Sequence, residues 1–275
     1  MKEYRKANYH THTYRCNHAV GEDEEYVLKA IENGYDLLGF SDHIMLPWTN
    51  NKNYIRAVYS EKEGYIKSIR KLKEKYKDQI DIIVGFECEW HKYFYDYYKS
   101  LLETNEVDYL ILGNHYMDYD FSTGEFGFAG LPTDTKEYVL RYIETSIEAM
   151  KTGLFVMFAH PDFFMSYFFD FDDEIKEKCY EMCKVAKEYN VALEINQGCL
   201  INGQKNHYDP YLNENRYRYP YEPFWKIVSE VGNVVVTNTD AHSPNAFSVT
   251  RARDEAFELA KKYNIKISTY LKMEK

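Results

Sequence analysis

The run Tyr9-His10-Thr11-His12-Thr13-Tyr14-Arg15-Cys16-Asn17-His18-Ala19 places three imidazoles within nine positions, directly after the first segment that reads as a strand. Successive side chains of a strand point to opposite faces, so His10 and His12 share a face. Two neutral nitrogens converging from a rigid element are what a metal ion requires. A lone His-x-His pair is equally an ordinary polar strand end, so the rest of the ligand set has to come from elsewhere in the chain.

It does. Short apolar runs further along end in Ser41-Asp42-His43, Gly85-Phe86-Glu87-Cys88-Glu89, Gly113-Asn114-His115, Ala159-His160-Pro161-Asp162 and Thr239-Asp240-Ala241-His242. Of the nine histidines, only His91 and His207 lie outside this set. One histidine at a strand end is commonly satisfied by backbone. Seven of them with two carboxylates, Glu87 and Asp240, all on one rim, point to a metal site. Imidazole with a few carboxylates and no thiolate suits zinc, iron or manganese. The set is too large for one ion and implies two or three divalent ions close together.

The elements that must position these residues alternate. Strands are expected at Arg5–Tyr9, Leu37–Ser41, Ile80–Glu87, Asp108–Asn114, Phe155–His160, Ala192–Asn196 and Val234–Asn238. Most are apolar without clean alternation, as strands buried on both faces should be. Helices are expected at Glu24–Asn33, Lys62–Lys77, Tyr95–Glu103, Thr135–Thr152, Asp173–Asn190, Glu222–Val231 and Ala246–Tyr263, with Asp23, Asp134 and Asp172 as caps. This βα alternation predicts an α/β fold with a parallel sheet, and about seven units suggest closure into a barrel. Parallel-sheet enzymes keep their chemistry at the C-terminal strand ends, where the histidines are. Two long loops, Met45–Tyr59 and Gln197–Tyr221, are candidates for shaping a pocket or lid.

Composition bounds the partners. A chain of 275 residues suits one domain, here 1–275, with loop insertions. Tyr (28) outnumbers Phe (16), and tyrosine suits polar cleft walls or reflects coding bias. A net charge of −10 argues against long nucleic acid, though not against a short oligonucleotide end. Five scattered cysteines read as reduced thiols of a cytoplasmic protein, with Cys179 and Cys183 packing on one helix. The charged start, Met1 to Lys6, and the lack of a long apolar run argue against a signal peptide or a membrane span. Oligomeric state stays open, a homo-oligomer included.

The set His10-x-His12, His18, Asp42-His43, Gly85-x-Glu87, His115, His160-Pro-Asp and Asp240-x-His242 resembles the PHP (polymerase and histidinol phosphatase) family across almost the whole chain. That resemblance implies a distorted seven-stranded (β/α)7 barrel with a metal cluster. Cys16-Asn17-His18-Ala19 and the Asp-His-x-x-x-Pro pattern at Asp42 to Pro47 are most similar to its histidinol-phosphate phosphatases. Carried over by motif, the first ion would take His10, His12, Glu87 and Asp240. The second would share Glu87 and add His115 and His160, and the third would take His18, His43 and His242. Glu89, two positions on, faces the same way and is the alternative bridge.

Such a cluster suits hydrolysis of a phosphate ester by in-line attack on phosphorus. Asp42 and Asp162 are the candidates for orienting imidazoles through their free N–H groups. No residue identifies itself as the general acid. The family's arginine after an Asn-x-x-Gly-Leu motif is missing, since the chain reads Asn196-Gln197-Gly198-Cys199-Leu200-Ile201. The substrate's cation would instead be Lys205, Arg216 or Arg218 from the long loop, or Arg15. Three functions follow: a histidinol-phosphate phosphatase of histidine biosynthesis releasing inorganic phosphate; a related phosphoesterase for a nucleotide, oligonucleotide end, sugar phosphate or phosphotyrosine; or a catalytically silent metal-binding module.

Overall fold

A computed structural model describes residues 4–47, 55–120, 122, 125–127, 132–203, 205 and 207–273. Residues 48–54 of the Met45–Tyr59 loop lie outside them. In chain order the elements are β1 (Ala7–Asn8), α1 (Asp23–Glu32), β2 (Leu37–His43), α2 (Lys62–Tyr76), β3 (Asp81–Cys88), α3 (Tyr95–Glu103) and β4 (Tyr109–Leu112). There follow β5 (Asp118–Asp120), β6 (Glu125–Gly127), α4 (Lys136–Lys151), β7 (Met157–Phe158), α5 (Asp173–Glu188), β8 (Ala192–Asn196) and α6 (Gly198–Asn202). The chain ends with β9 (His207–Asp209), β10 (Glu214–Arg216), α7 (Glu222–Val231), β11 (Val235–Asn238) and α8 (Thr250–Lys262).

Seven strands, in the order β1-β2-β3-β4-β7-β8-β11, pair in parallel. The sheet curls until its ends nearly meet: Thr11 bridges Ala241, and His12 N–H donates to the Ala241 carbonyl at 2.9 Å. Side chains complete the seam. Asn238 Oδ1 accepts from Tyr9 N–H at 2.7 Å, and Asn8 Oδ1 accepts from Thr239 N–H at 2.7 Å. This is the expected distorted β/α barrel, closed by a short bridge and two asparagines in place of a full strand pair.

The helices pack their apolar faces on the outside of the sheet, forming the main core. A smaller inner cluster, Tyr9, Leu37, Tyr109, Ile111, Met157, Ala192 and Val236, fills the barrel, with Leu271 of the C-terminal segment among it. Gly39 and Gly85 are needed there, because a Cβ at either would collide with the Tyr109 ring. The Tyr109 hydroxyl donates to the Tyr9 carbonyl at 2.8 Å, so a polar group crosses the inner core without being stranded.

Several boundaries differ from expectation for local reasons. β1 is short because Arg5 and Lys6 N–H donate to the Asp36 carboxylate instead of a neighbouring strand. β7 ends early because His160 adopts φ +34°. Of the expected caps, Asp172 accepts from Ile175 N–H, whereas Thr135 replaces Asp134 and Glu22 precedes Asp23, whose carboxylate is paired with Arg15. The Gln197–Tyr221 segment carries α6 and the β9–β10 hairpin, and a second hairpin, β5–β6, was not expected. Among the described residues no helix is long and apolar enough to cross a membrane.

Candidate metal centre

Glu87, at the end of β3, is the centre of the cluster. Its partner in register on β2 is His43, whose Nδ1 lies 3.1 Å from Glu87 Oε2. The same oxygen lies 3.5 Å from His10 Nε2 and 3.4 Å from His12 Nε2. The other oxygen, Oε1, lies 3.0 Å from His160 Nε2 and 3.7 Å from His115 Nε2. One carboxylate thus faces five imidazoles from four different strand ends, which is the geometry of a bridge.

Around it the expected ligands fall into neighbouring groups. His10 and His12 Nε2 lie 3.3 and 3.1 Å from Asp240 Oδ1 and 3.2 Å from each other. His10, Glu87 and His160 form a second set. His18, His43 and His242 form a third, with His18 Nε2 and His242 Nε2 2.9 Å apart. The second nitrogens of His18 and His242 face the Cys16 and Asp240 carbonyls at 2.9 Å, fixing the Nε2 atoms inward. His160 and Asp240 both hold positive φ, 34° and 49°, a backbone strain found where a side chain must be aimed.

The donor set fits divalent cations. Glu87 Oε2, Asp240 Oδ1 and His43 Nδ1 are buried and carry no hydrogen bond, yet converge on the same space. Nitrogens meeting nitrogens and carboxylates in this way leave lone pairs that an ion would satisfy. Burial would raise Glu87, but His115, His10 and His43 hold it well below the usual carboxylate range; Asp240 is likewise held low by His10 and His12. Burial opposes protonation of His12 as well, but Asp240, Asp42 and Glu87 lift it to about 9. His242 is pushed down to about 4, by burial and then by His12.

The supporting residues divide the candidates. Asp42 is buried, accepts from Thr13 Oγ1 and from His43 N–H at 2.9 Å, and lies 3.5 Å from His12 Nδ1, as expected of a positioning group. Glu89 also faces the cluster, 3.4 Å from His115 Nδ1, but its other oxygen pairs with buried Arg56 at 3.1 Å, so it backs a ligand and does not sit at the bridge. Asp162 corrects the expectation: its Oδ2 accepts from Tyr221 N–H at 2.5 Å and Trp225 Nε1–H at 2.9 Å, so it anchors the end of the long loop. Arg15 is likewise diverted, bound through both terminal nitrogens to Asp23 at 2.7 and 2.9 Å. Arg216 is buried against Asp209 and the Met165 carbonyl, and Lys205 lies over the Tyr217 ring, 5.2 Å from its centroid.

Arg218 is different. It lines a cavity of about 570 Å³ together with His12, His18, His43, Glu87, His115, Asp240 and His242. Ile55, Tyr116, Cys199, Ile201, Asn202 and Tyr219 form much of the remaining wall, and no other Lys or Arg lines it among the described residues. Arg218 Nε donates to His207 Nε2 at 3.2 Å and its guanidinium lies over the Tyr167 ring, so hairpin and rim hold it in place. Ile201 occupies the position after Leu200 where an arginine was looked for. Sequence reasoning missed Glu194, whose carboxylate faces His10 Nδ1 at 3.0 Å. The available signal was a single charge inside the otherwise apolar run of β8.

Comparison with known proteins agrees with this arrangement. A family model described as PHP domain matches residues 8–198. A Deinococcus radiodurans protein named "Probable histidinol-phosphatase" is 27% identical over 165 residues, spanning 56% of this chain and 59% of that protein. A Schizosaccharomyces pombe protein of the same name is 22% identical across 92% of this chain and 84% of its own length. Among solved structures, a Lactococcus lactis histidinol phosphate phosphatase complexed with zinc, L-histidinol and phosphate superposes with a TM-score of 0.71 at 20% identity, covering 98% of each chain. At that identity the likeness is one of fold.

Proposed function

The chain belongs to the PHP domain family, and from that premise we propose that it is a metal-dependent phosphomonoester hydrolase acting on L-histidinol phosphate, releasing L-histidinol and inorganic phosphate in histidine biosynthesis. One observation carries the reading: imidazoles and a carboxylate from five other strand ends gather around Glu87 at a cavity that Arg218 also lines. The names of the curated relatives support the substrate.

His10, His12, Glu87 and Asp240 would hold one ion, Glu87, His115 and His160 a second, and His18, His43 and His242 a third. Bound there, zinc, manganese or iron would supply Lewis acidity toward the phosphoryl group and its attacking water. The chain's own residues do the rest. Asp42 and Glu89 hold the rings of His12 and His115 from behind. Arg218 meets the phosphoryl oxygens as a planar, permanently charged donor. Ile55, Tyr116, Ile201 and Tyr219 wall the leaving group away from bulk water.

The test is steady-state kinetics of metal-loaded protein on histidinol phosphate beside a nucleoside monophosphate and p-nitrophenyl phosphate. A specificity constant about a thousandfold higher for histidinol phosphate, ~4 kcal/mol of differential transition-state binding, is expected. Comparable weak rates on all three would overturn the substrate and favour a phosphoesterase for another small phosphate ester, a reading that the apolar Ile201 in the cavity wall supports. Metal binding with no turnover on any of them would leave a silent metal-binding module.

A further inference from the structure

We infer that Glu194 is the positioning residue that couples two of the proposed ion seats, so that losing its charge weakens both and spares the third. The inference rests on the metal reading above. Glu194 comes from the middle of β8 and is fully buried. A carboxylate offers roughly four acceptor positions, and in Glu194 all of them are taken. Oε1 accepts from Asn238 Nδ2 at 2.9 Å and faces His10 Nδ1 at 3.0 Å. Oε2 accepts from Asn196 Nδ2 at 2.7 Å and from the His160 backbone N–H at 3.0 Å.

Two of those four donors belong to candidate ligands in different seats. Accepting the His10 Nδ1 proton fixes the tautomer and leaves Nε2 as a lone pair toward Asp240 and Glu87. Accepting the His160 N–H holds a backbone at φ +34°, the conformation that points that ring at Glu87 Oε1. The asparagines keep the carboxylate from turning: Asn238 is tied to Tyr9 N–H across the barrel seam, and Asn196 also reaches Asp240 Oδ2 at 3.2 Å. No hydrogen bond joins Glu194 to the group His18, His43 and His242 among the described residues.

Glu194→Gln keeps shape and volume but exchanges one acceptor oxygen for an NH₂ group. Whichever way the amide turns, donors face a donor: either His10 and Asn238, or His160 and Asn196. We expect the variant to keep its circular dichroism spectrum. Stoichiometric cobalt(II) titration, followed by absorbance and by metal analysis after desalting, should show two ions weakened by about ten- to a hundredfold and one unchanged. A titration superimposable on wild type, or equal weakening of every ion in a folded variant, overturns the inference. Wild-type protein that binds no cobalt overturns the metal reading instead. Should the variant not fold, zinc-loaded wild type labelled with ¹⁵N-histidine carries the test: His10 must show a protonated Nδ1 and a metal-bound Nε2, and the opposite tautomer overturns the role.

Discussion

Gly113 and Glu87 occupy each other's space: a Cβ built on Gly113 would overlap the Glu87 carboxylate. The residue directly after β4 therefore lacks a side chain because the central carboxylate of β3 lies across it. Gly113→Ala must displace Glu87 or the backbone of β4. We expect it to cost about 1–3 kcal/mol in urea unfolding, the usual penalty of overpacking. Metal content after desalting should fall together with phosphatase activity. Full metal content and wild-type turnover in the alanine variant would mean that Glu87 does not need its observed position.

Arg218→Ala should behave in the opposite way. The side chain lines the cavity but is hydrogen-bonded to His207 and not to any of the clustered imidazoles. Metal content and melting temperature should be unchanged, while kcat/KM for a phosphomonoester falls about ten- to a hundredfold, as for loss of one charged hydrogen bond of ~1.5–3 kcal/mol. Arg218→Lys should recover only part of this, because an ammonium cannot reproduce the planar fork. Unchanged kcat/KM in the alanine variant would remove Arg218 from substrate binding.

These residues also mark what a sequence can and cannot convey. His43, Glu87, His115, His160 and Asp240 were legible because each stands at or within a few residues of the end of an apolar run, and strands of one parallel sheet must end on one rim. The choice of Glu87 over Glu89 as the shared carboxylate came from the family resemblance, since the strand pattern places both on that rim. Arg15 and Asp162 look like site residues by proximity along the chain, yet their partners, Asp23 and the Tyr221–Trp225 segment, are fixed by how helices and the long loop fold back. Arg56 reaches Glu89 and Glu194 reaches His10 across large sequence separations, and although the lone charge in β8 marks Glu194 as unusual, nothing local to either residue names its partner. Barrel closure is likewise invisible in β1, since two asparagines and one bridge replace the strand pairing.

Asp162 should make stability depend on pH. Burial pushes its carboxyl up to about 6, against the opposing pull of the Tyr221 and Trp225 donors. A folded value above the ordinary one near 4 means that protonation favours the folded state. This contribution is fully present below about pH 4 and is lost as pH rises through about 6. Asp162→Asn keeps an oxygen for both donors and removes the titration. Between pH 4 and 7.5 the variant's unfolding free energy should improve on wild type by about 2–3 kcal/mol, as judged from paired urea curves. A wild-type-minus-variant difference that stays constant with pH would show that the carboxyl is not raised.

His12 makes the metal itself pH-dependent. In the metal-free protein its imidazole lies between Asp42, Glu87 and Asp240, and these carboxylates outweigh burial to lift it to about 9. The folded value exceeds the unfolded value near 6.5, so the metal-free fold gains stability from this group fully below pH 6.5 and loses it as pH rises through about 9. At pH 7.5 the ring carries a proton that an entering ion must displace, because only neutral imidazole is a ligand. Zinc titrations by calorimetry in buffers of different ionisation enthalpy should therefore show release of about one proton or more at pH 7.5, with apparent affinity climbing up to about pH 9. After chelation, the melting temperature should fall between pH 6.5 and 9, while the zinc-loaded protein, with His12 held neutral by the ion, shows no such fall. Zinc binding without proton release would mean that His12 is already neutral and that the carboxylates around it do not act as the distances indicate.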